Sequence, residues 1–173
     1  MTQLTKKEVI ANQESANPIV MEMDQDDGDD YLVLRGSMFR DLLFGVKVVL
    51  GSGGNFALEG AGAVVGANYA EYLLEHGNRL EDAPRILGLL LNQTGWGKAH
   101  VEVDSASKTG IIRIEDCITA KYIKTSTPNC SFLKGYFKGI IGKLANTEIE
   151  CQETACMVKG DIACEFHLRK KQL

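Results

Sequence analysis

The amino-acid sequence predicts an α+β fold in which an N-terminal layer of helices packs on a small antiparallel sheet. Residues 38–93 contain three apolar segments whose spacing fits one face of a helix. Residues 96–168 then contain two pairs of short alternating segments, with a further helical segment between the pairs. Helices that are separated in sequence from hairpins are typical of the α+β class. The predicted order is therefore helices, hairpin, helix, hairpin.

The first helix is predicted over residues 38–50, after Ser37, whose side chain suits the N-cap position. The residues with helical spacing that define its apolar side are Leu42, Leu43, Val46, Val49 and Leu50. The glycine-rich segment 51–55 that follows predicts a linker or turn.

The second helix is predicted over residues 57–76 and ends at Gly77, a residue typical of helix C-caps. Small residues recur at every fourth position in this helix, at Gly62, Gly66 and Ala70. Such a stripe lets another helix approach closely, either within the chain or from a second copy. A third helix is predicted over residues 82–93, with Pro84 in its first turn.

The second half of the chain predicts four strands and one helix. Residues 96–103 and 110–117 form the first predicted hairpin, and residues 147–152 and 162–168 form the second. A helix is predicted between them over residues 130–145. Alternation in the last strand places on one face Ile162, Cys164, Phe166 and Leu168.

The sequence predicts one domain over residues 31–173, preceded by a polar N-terminal segment, residues 1–30. Within that segment, residues 18–23 predict a short strand. The acidic run 24–30 predicts a solvated turn, because the glutamate that a calcium loop needs at its twelfth position is missing.

Composition excludes several classes of function. A net charge of -4 argues against nucleic-acid binding through the whole surface. The N-terminus lacks the apolar core of a signal peptide, and charged or glycine residues interrupt each apolar stretch, so we expect a cytoplasmic protein with no membrane span. The glycine-rich segments do not match the nucleotide-binding patterns, and no histidine accompanies a recognisable nucleophile, so no catalytic residue is predicted.

The five cysteines are interpreted as thiols or metal ligands, since disulfides are rare in the cytosol. Cys117 and Cys151 fall at strand positions that predict the core. Cys130 begins a predicted helix, where the helix dipole favours a thiolate. Together with Glu153, Cys156 and Cys164 it makes a candidate zinc site around the turn at residues 159–161. Spacing alone leaves open a set of buried free thiols with a surface glutamate.

Two motifs give the chain a family resemblance. Cys130 is followed by Gly135-Tyr136-Phe137-Lys138-Gly139, and further along by Glu153-x-x-Cys156-x-x-x-Gly160-Asp161-x-x-Cys164-x-Phe166. This arrangement resembles the 4-vinyl reductase (4VR) domain, a family that includes the sensor domains of phenol- and xylene-responsive transcription activators. Its fold is related to haem-NO-binding domains and to TRAPP subunits. The likeness is strongest over residues 96–168.

The resemblance implies two sites. The first is a structural zinc ion, which the four family ligands would hold at Cys130, Glu153, Cys156 and Cys164. The second is an apolar pocket between the helices and the sheet for an aromatic or hydrocarbon molecule. Its candidate lining residues are Trp96, His100, Val101, Ile112, Phe132, Tyr136 and Phe137.

The function that follows is a stand-alone, zinc-stabilised, hydrocarbon-binding domain with a sensory or regulatory role. We expect a homodimer that signals through a protein partner, without direct contact to nucleic acid or membrane. The chain has no nicotinamide or flavin fingerprint, so an enzyme is not expected. Two alternatives stay open. One is a reductase or accessory protein in tetrapyrrole metabolism, and the other is a TRAPP-like assembly adaptor.

Overall fold

The computed structural model describes residues 34–121, 123 and 129–172, and this part of the chain contains four α-helices and four β-strands. The strand expected at 18–23 and the acidic turn at 24–30 lie outside the described residues. The elements, in chain order, are α1 (Gly36–Leu50), α2 (Gly54–Glu75), α3 (Ala83–Gln93), β1 (Lys98–Asp104), β2 (Thr109–Glu115), α4 (Ser131–Leu144), β3 (Ile149–Ala155) and β4 (Cys164–Lys170). This order confirms the predicted α+β fold.

Helices α1 and α2 are joined by a single 3-10 turn, Gly51–Gly53. Of the two alternatives predicted for residues 51–55, the turn is therefore present and the linker is not. Gly54 already lies in the first turn of α2 with helical dihedral angles, because glycine tolerates the helix as well as the turn. Helix α1 also begins earlier than predicted, with Arg35 rather than Ser37 at the N-cap position.

The helical run Gly36–Glu75 is long and apolar enough to cross a membrane by length and composition. Its most apolar window has a mean hydropathy of 1.3, and 17% of that window is buried. Core helices of soluble proteins meet the same criterion, so the expectation of no membrane span stays a prediction.

The inward face of α1 differs from the predicted apolar side. Leu43 is buried, and Phe39 and Val46 are partly buried on the same face at helical spacing. Three residues of the predicted stripe face solvent instead, with exposed fractions of 60%, 81% and 51% for Leu42, Val49 and Leu50. The helix is apolar on nearly all sides, so periodicity alone could not select the buried face.

Helices α2 and α4 touch through their backbones. Gly62 and Gly66 of α2 lie against the α4 backbone, and Gly135 and Gly139 of α4 lie against the α2 backbone. A Cβ atom at any of these four positions would collide with a main-chain carbonyl oxygen of the facing helix. The small-residue stripe therefore packs within the chain, which decides between the two alternatives left by the sequence. We call these four glycines and their contacts the glycine seam.

The two hairpins form one antiparallel sheet with the strand order β1-β2-β4-β3. Its inner face packs on the helices, and the strands alternate as predicted. Cys164, Phe166 and Leu168 are buried there, opposite Ile112 and Ile114 of β2. Ile162 precedes β4 and is 80% exposed, so its predicted place on the inner face was wrong.

Candidate metal site and aromatic cluster

The four predicted metal ligands come together in the structure. Their ligand atoms all lie within 4.8 Å of one another. The Sγ atoms of Cys130 and Cys164 are 3.6 Å apart, and Cys156 Sγ lies 3.9 Å from each of them. All three thiols are buried, and Glu153 is partly buried. We call this group the Cys3Glu cluster.

The spacing of the three sulfur atoms fits a tetrahedral metal ion. A zinc–sulfur bond of about 2.3 Å in tetrahedral geometry places neighbouring sulfur atoms about 3.8 Å apart. The three Sγ–Sγ distances of 3.6 to 3.9 Å bracket this value. They are far too long for a disulfide, which needs about 2.05 Å. The donor set therefore fits zinc, and its four ligands leave no position for a catalytic water.

A β-bulge in β3 aims Glu153 and Cys156 at the same point. Glu153 pairs with Phe166 and Ala155 pairs with Glu165, so Thr154 is the extra residue. In a regular strand, residues three apart face opposite sides of the sheet. The bulge shifts the alternation by one residue, and both ligands face inward. The Glu-x-x-Cys spacing is therefore the sequence signature of this bulge.

The turn after β3 supplies the remaining ligand. Gly160 adopts φ 102°, a left-handed conformation that favours glycine, and it ends the 3-10 turn Met157–Lys159. Asp161 Oδ2 accepts a hydrogen bond of 2.8 Å from the backbone N–H of Cys156. The chain then returns into β4, where Cys164 begins the strand on the inner face. The Gly-Asp pair thus folds the loop that holds Cys156 and Cys164 together.

The carboxylate of Glu153 is only half satisfied. Its Oε2 atom accepts a hydrogen bond of 3.3 Å from the backbone N–H of Cys130. Its Oε1 atom is buried, and no described residue bonds to it. Burial raises the pKa of Glu153 to about 8. A metal ion would satisfy the orphan oxygen and keep the carboxylate ionised.

The thiols share their protons. Hydrogen bonds from Cys130 and Cys164 hold the pKa of Cys156 well below its usual range. A hydrogen bond with Cys117 raises the pKa of both Cys130 and Cys164. The dipole argument expected a thiolate at Cys130, and the neighbouring thiol outweighs it. Cys117 therefore lies beside the cluster, although its sulfur is not one of the four grouped ligand atoms.

Three further residues surround the cluster that sequence reasoning missed. Thr119 is buried, and its Oγ1 atom donates to Cys130 Sγ at 3.2 Å. Asn129 Nδ2 donates to Thr119 O at 2.9 Å, and Lys47 Nζ donates to Asn129 Oδ1 at 2.6 Å. No short-range pattern links Lys47 to a segment 82 residues away, so only the fold reveals it.

The second site is an aromatic cluster of Phe39, Trp96, Phe132 and Tyr136. Trp96 is parallel to Phe132 and Tyr136, with ring centroids 6.1 and 6.4 Å apart. Phe39 meets Trp96 and Phe132 edge-on, at 5.4 and 5.5 Å. Tyr136 is buried, whereas Trp96 and Phe132 are partly exposed, so the cluster opens toward solvent. The sequence analysis missed Phe39, because its apolar stripe was drawn along another side of α1.

The other predicted ligand-binding residues divide into two groups. Val101, Ile112 and Phe137 are buried in the core beneath the aromatic cluster. His100 does not join them. It is exposed on the outer face of β1, where Nε2 lies 2.9 Å from Glu102 Oε1. Strand alternation turns Val101 inward and therefore turns His100 outward.

A separate groove of about 810 Å³ lies beside the sheet and α4. None of the seven predicted ligand-binding residues lines it. Its lining is mostly polar and includes Glu59, Glu102, Lys134, Lys138, His167 and Arg169. The groove therefore lacks the apolar walls expected around a hydrocarbon.

Comparisons with known proteins agree with this arrangement. Residues 111–170 match the family model of the vinyl-4-reductase (4VR) domain. No curated protein matches the chain. Among solved structures, the phenol-responsive sensory domain of the transcription activator PoxR, bound to phenol, superposes with a TM-score of 0.69 at 17% identity. That match covers 82% of this chain and 77% of the sensory domain.

Two further structures share the fold. A vinyl-4-reductase family protein from Methanocaldococcus jannaschii has a TM-score of 0.57 at 14% identity, covering 83% of this chain and 85% of that protein. An H-NOX protein from S. oneidensis in the Fe(II)NO state has a TM-score of 0.55 at 11% identity, covering 84% and 83%. At these identities the likeness concerns the fold.

Proposed function

The chain carries a vinyl-4-reductase domain over residues 111–170, which confirms the family resemblance of its sequence, and from this premise we propose that it is a zinc-stabilised sensory domain for an aromatic or hydrocarbon small molecule. Zinc holds the scaffold, the aromatic cluster receives the ligand, and a homodimer passes the bound state to a protein partner. Five reduced cysteines suit the cytoplasm.

The metal part of the proposal is supported by the Cys3Glu cluster. Three sulfur atoms at tetrahedral spacing and one unpartnered carboxylate oxygen form a closed, four-ligand site. Such a site joins the N-terminus of α4, where Cys130 precedes the first turn, to the loop between β3 and β4. The role of the zinc ion is therefore architectural.

The ligand part is carried by one observation, the aromatic cluster itself. Four aromatic rings from α1, α4 and the segment before β1 surround a partly exposed space. Burial raises the pKa of the Tyr136 phenol, so this side chain contributes a neutral hydroxyl to the cluster. Aromatic walls with a single polar group suit a small apolar molecule that carries one hydroxyl. PoxR, which shares the fold, is solved with phenol.

The partner part rests on the outer surface of α1 and α2. Large apolar side chains are exposed along both helices, the most exposed being Val48 at 65%, Val49 at 81% and Phe56 at 84%. Monomeric soluble domains rarely expose contiguous apolar patches of this kind. We propose that a second copy of the chain covers this surface, which we call the α1–α2 face.

Native mass spectrometry of the full chain tests the three parts together. We expect a dimer that carries one zinc ion per chain. A monomer without metal would contradict both the zinc site and the dimer. A long acyl chain retained in place of an aromatic molecule would favour the TRAPP-like alternative.

Isothermal titration with phenol and toluene tests the ligand site. We expect saturable binding to the wild type, and about tenfold or greater loss in Phe132→Ala, which removes one aromatic wall. His100→Ala is the matched control, because its exposed ring lies on the outer face of the sheet. Equal losses in the two variants would contradict this location, and turnover of a vinyl-bearing pigment would favour the reductase alternative.

A further inference from the structure

Lys47 of α1 reaches the segment that carries the first metal ligand. Its Nζ atom donates to Asn129 Oδ1 at 2.6 Å and lies 3.3 Å from Asn129 O. Asn129 directly precedes Cys130 in the chain. Lys47 is partly buried, and its contacts at this point bridge 82 residues of sequence. Helix α1 is therefore attached to the edge of the Cys3Glu cluster.

The charge of the cluster gives this attachment a purpose. Three thiolates and one carboxylate exceed the charge of a bound zinc ion by two, and buried unbalanced charge is unfavourable. Burial lowers the pKa of Lys47, while the negative charges of Cys130, Glu153 and Cys156 raise it. The ammonium group is thus close enough to feel three of the four ligands.

The position of Lys47 is set by close packing at its backbone. A Cβ atom added to Gly54 would lie 2.7 Å from Lys47 Cα, so only glycine lets α2 begin this close to α1. The 3-10 turn Gly51–Gly53 brings the two helices to this approach. The lysine side chain leaves from this fixed point toward Asn129.

The same helix also carries a wall of the aromatic cluster. Phe39 lies eight residues before Lys47, about 12 Å along the helix axis, and meets Trp96 edge-on at 5.4 Å. Leu43, between them, is the one buried residue of α1. Helix α1 therefore has few attachments, and one of them ends at the metal site while another closes the aromatic site.

We propose that Lys47 is a positioning residue that couples the two sites: by balancing the charge of the loaded Cys3Glu cluster through Asn129, it holds α1, and with it Phe39, over the aromatic cluster. Loss of the metal would then loosen the wall of the ligand site, and a bound ligand would strengthen metal retention in return. This inference rests on the proposed zinc site.

The test compares Lys47→Met with Lys47→Arg in the zinc-loaded full chain. Zinc release to excess EDTA is followed with a colorimetric chelator, and the accessibility of Trp96, the single tryptophan of the chain, is followed by acrylamide quenching. We expect Lys47→Met to release zinc about tenfold faster, as substitutions around metal ligands typically do, and to increase quenching of Trp96. Lys47→Arg keeps the charge and should restore both readouts.

Two more variants complete the design. Lys98→Met makes the same change at an exposed lysine of β1 and should leave both readouts unchanged. Asn129→Ala breaks the link from its other end and should shift both readouts in the same direction as Lys47→Met. This second variant decides the matter if Lys47→Met does not fold.

The outcomes separate the inference from the function on which it rests. Wild-type protein that holds no zinc would overturn the zinc site and the coupling together. Wild-type protein that holds zinc, with no change in Lys47→Met and Asn129→Ala, would overturn the coupling alone. A change in only one readout would also overturn it, because coupling requires that metal retention and Trp96 accessibility change together.

Discussion

Helix α4 is fastened at two places by opposite means. At its N-terminus, the Cys3Glu cluster gathers side chains from three segments around one point. Along its length, the glycine seam brings two backbones together by the absence of side chains. The first fastening depends on what four residues supply, and the second depends on what four residues lack.

The difference teaches which part of the fold can respond to conditions. Metal affinity depends on pH and on metal supply, because each ligand must be deprotonated to bind. Backbone packing in the seam depends on neither. We therefore expect the metal end of α4, with the β3–β4 loop, to be the adjustable end, while the seam keeps the helices together.

Metal removal should have the largest effect. At free zinc a thousandfold above the dissociation constant, a bound metal contributes about 4 kcal/mol to the free energy of unfolding. For a domain of this size, its loss lowers Tm on the order of 10 °C. Cys164→Ser should reproduce this fall, as measured by circular dichroism. Cys151→Ser is the control, because Cys151 is buried outside the cluster. Equal zinc loss in the two variants would argue against the assigned ligands.

The seam should give the second largest effect. Gly66→Ala places a Cβ against the α4 backbone and should lower the free energy of unfolding by about 3 kcal/mol. Gly60→Ala lies on the same helix with nothing within 4 Å and should instead stabilise it by about 0.8 kcal/mol. Urea denaturation measures both. The seam would lose its assigned role if the two substitutions had the same sign.

The same contrast explains what the sequence could predict. Metal ligands announce themselves, because cysteine and glutamate at fixed spacings around a Gly-Asp turn form a rare pattern. All four came together as the resemblance implied. The element order also followed from periodicity and turn residues. Strong local signals of this kind survive folding without help from distant contacts.

Features that depend on distant contacts were not predictable. Gly54 was assigned to a linker or turn and proved helical, because packing against Lys47 favours glycine there. Phe39 was missed, since α1 is apolar on nearly every side. His100 and Val101 are neighbours, and only the register of β1 with β2 decides which of them faces inward.

The face of α2 opposite the seam should set the oligomeric state. Phe56→Glu and Val49→Glu place carboxylates at the most exposed positions of the α1–α2 face. Facing like charges should weaken the proposed dimer by roughly 2 to 3 kcal/mol, about a hundredfold in its dissociation constant. Light scattering coupled to size-exclusion chromatography measures the mass. Ile111→Glu on the outer face of the sheet is the control and should leave the dimer intact. A wild-type monomer at every concentration would contradict the dimer.

The smallest expected effect lies at the adjustable end of α4. Thr119→Val keeps the shape of the buried side chain and removes the hydroxyl that donates to Cys130 Sγ at 3.2 Å. A hydrogen bond of this kind contributes about 1 kcal/mol, so zinc affinity should fall about fivefold. Competition with a chelator of known affinity measures the change. Thr154→Val, on the exposed face of β3, should leave zinc affinity unchanged. Unaltered affinity in Thr119→Val would mean that the four ligands alone set the strength of the metal end, and that its surroundings serve only to fill space. A fivefold loss would show that a single hydroxyl tunes this fastening, whereas the seam, which has no side chains to alter, offers nothing comparable to tune.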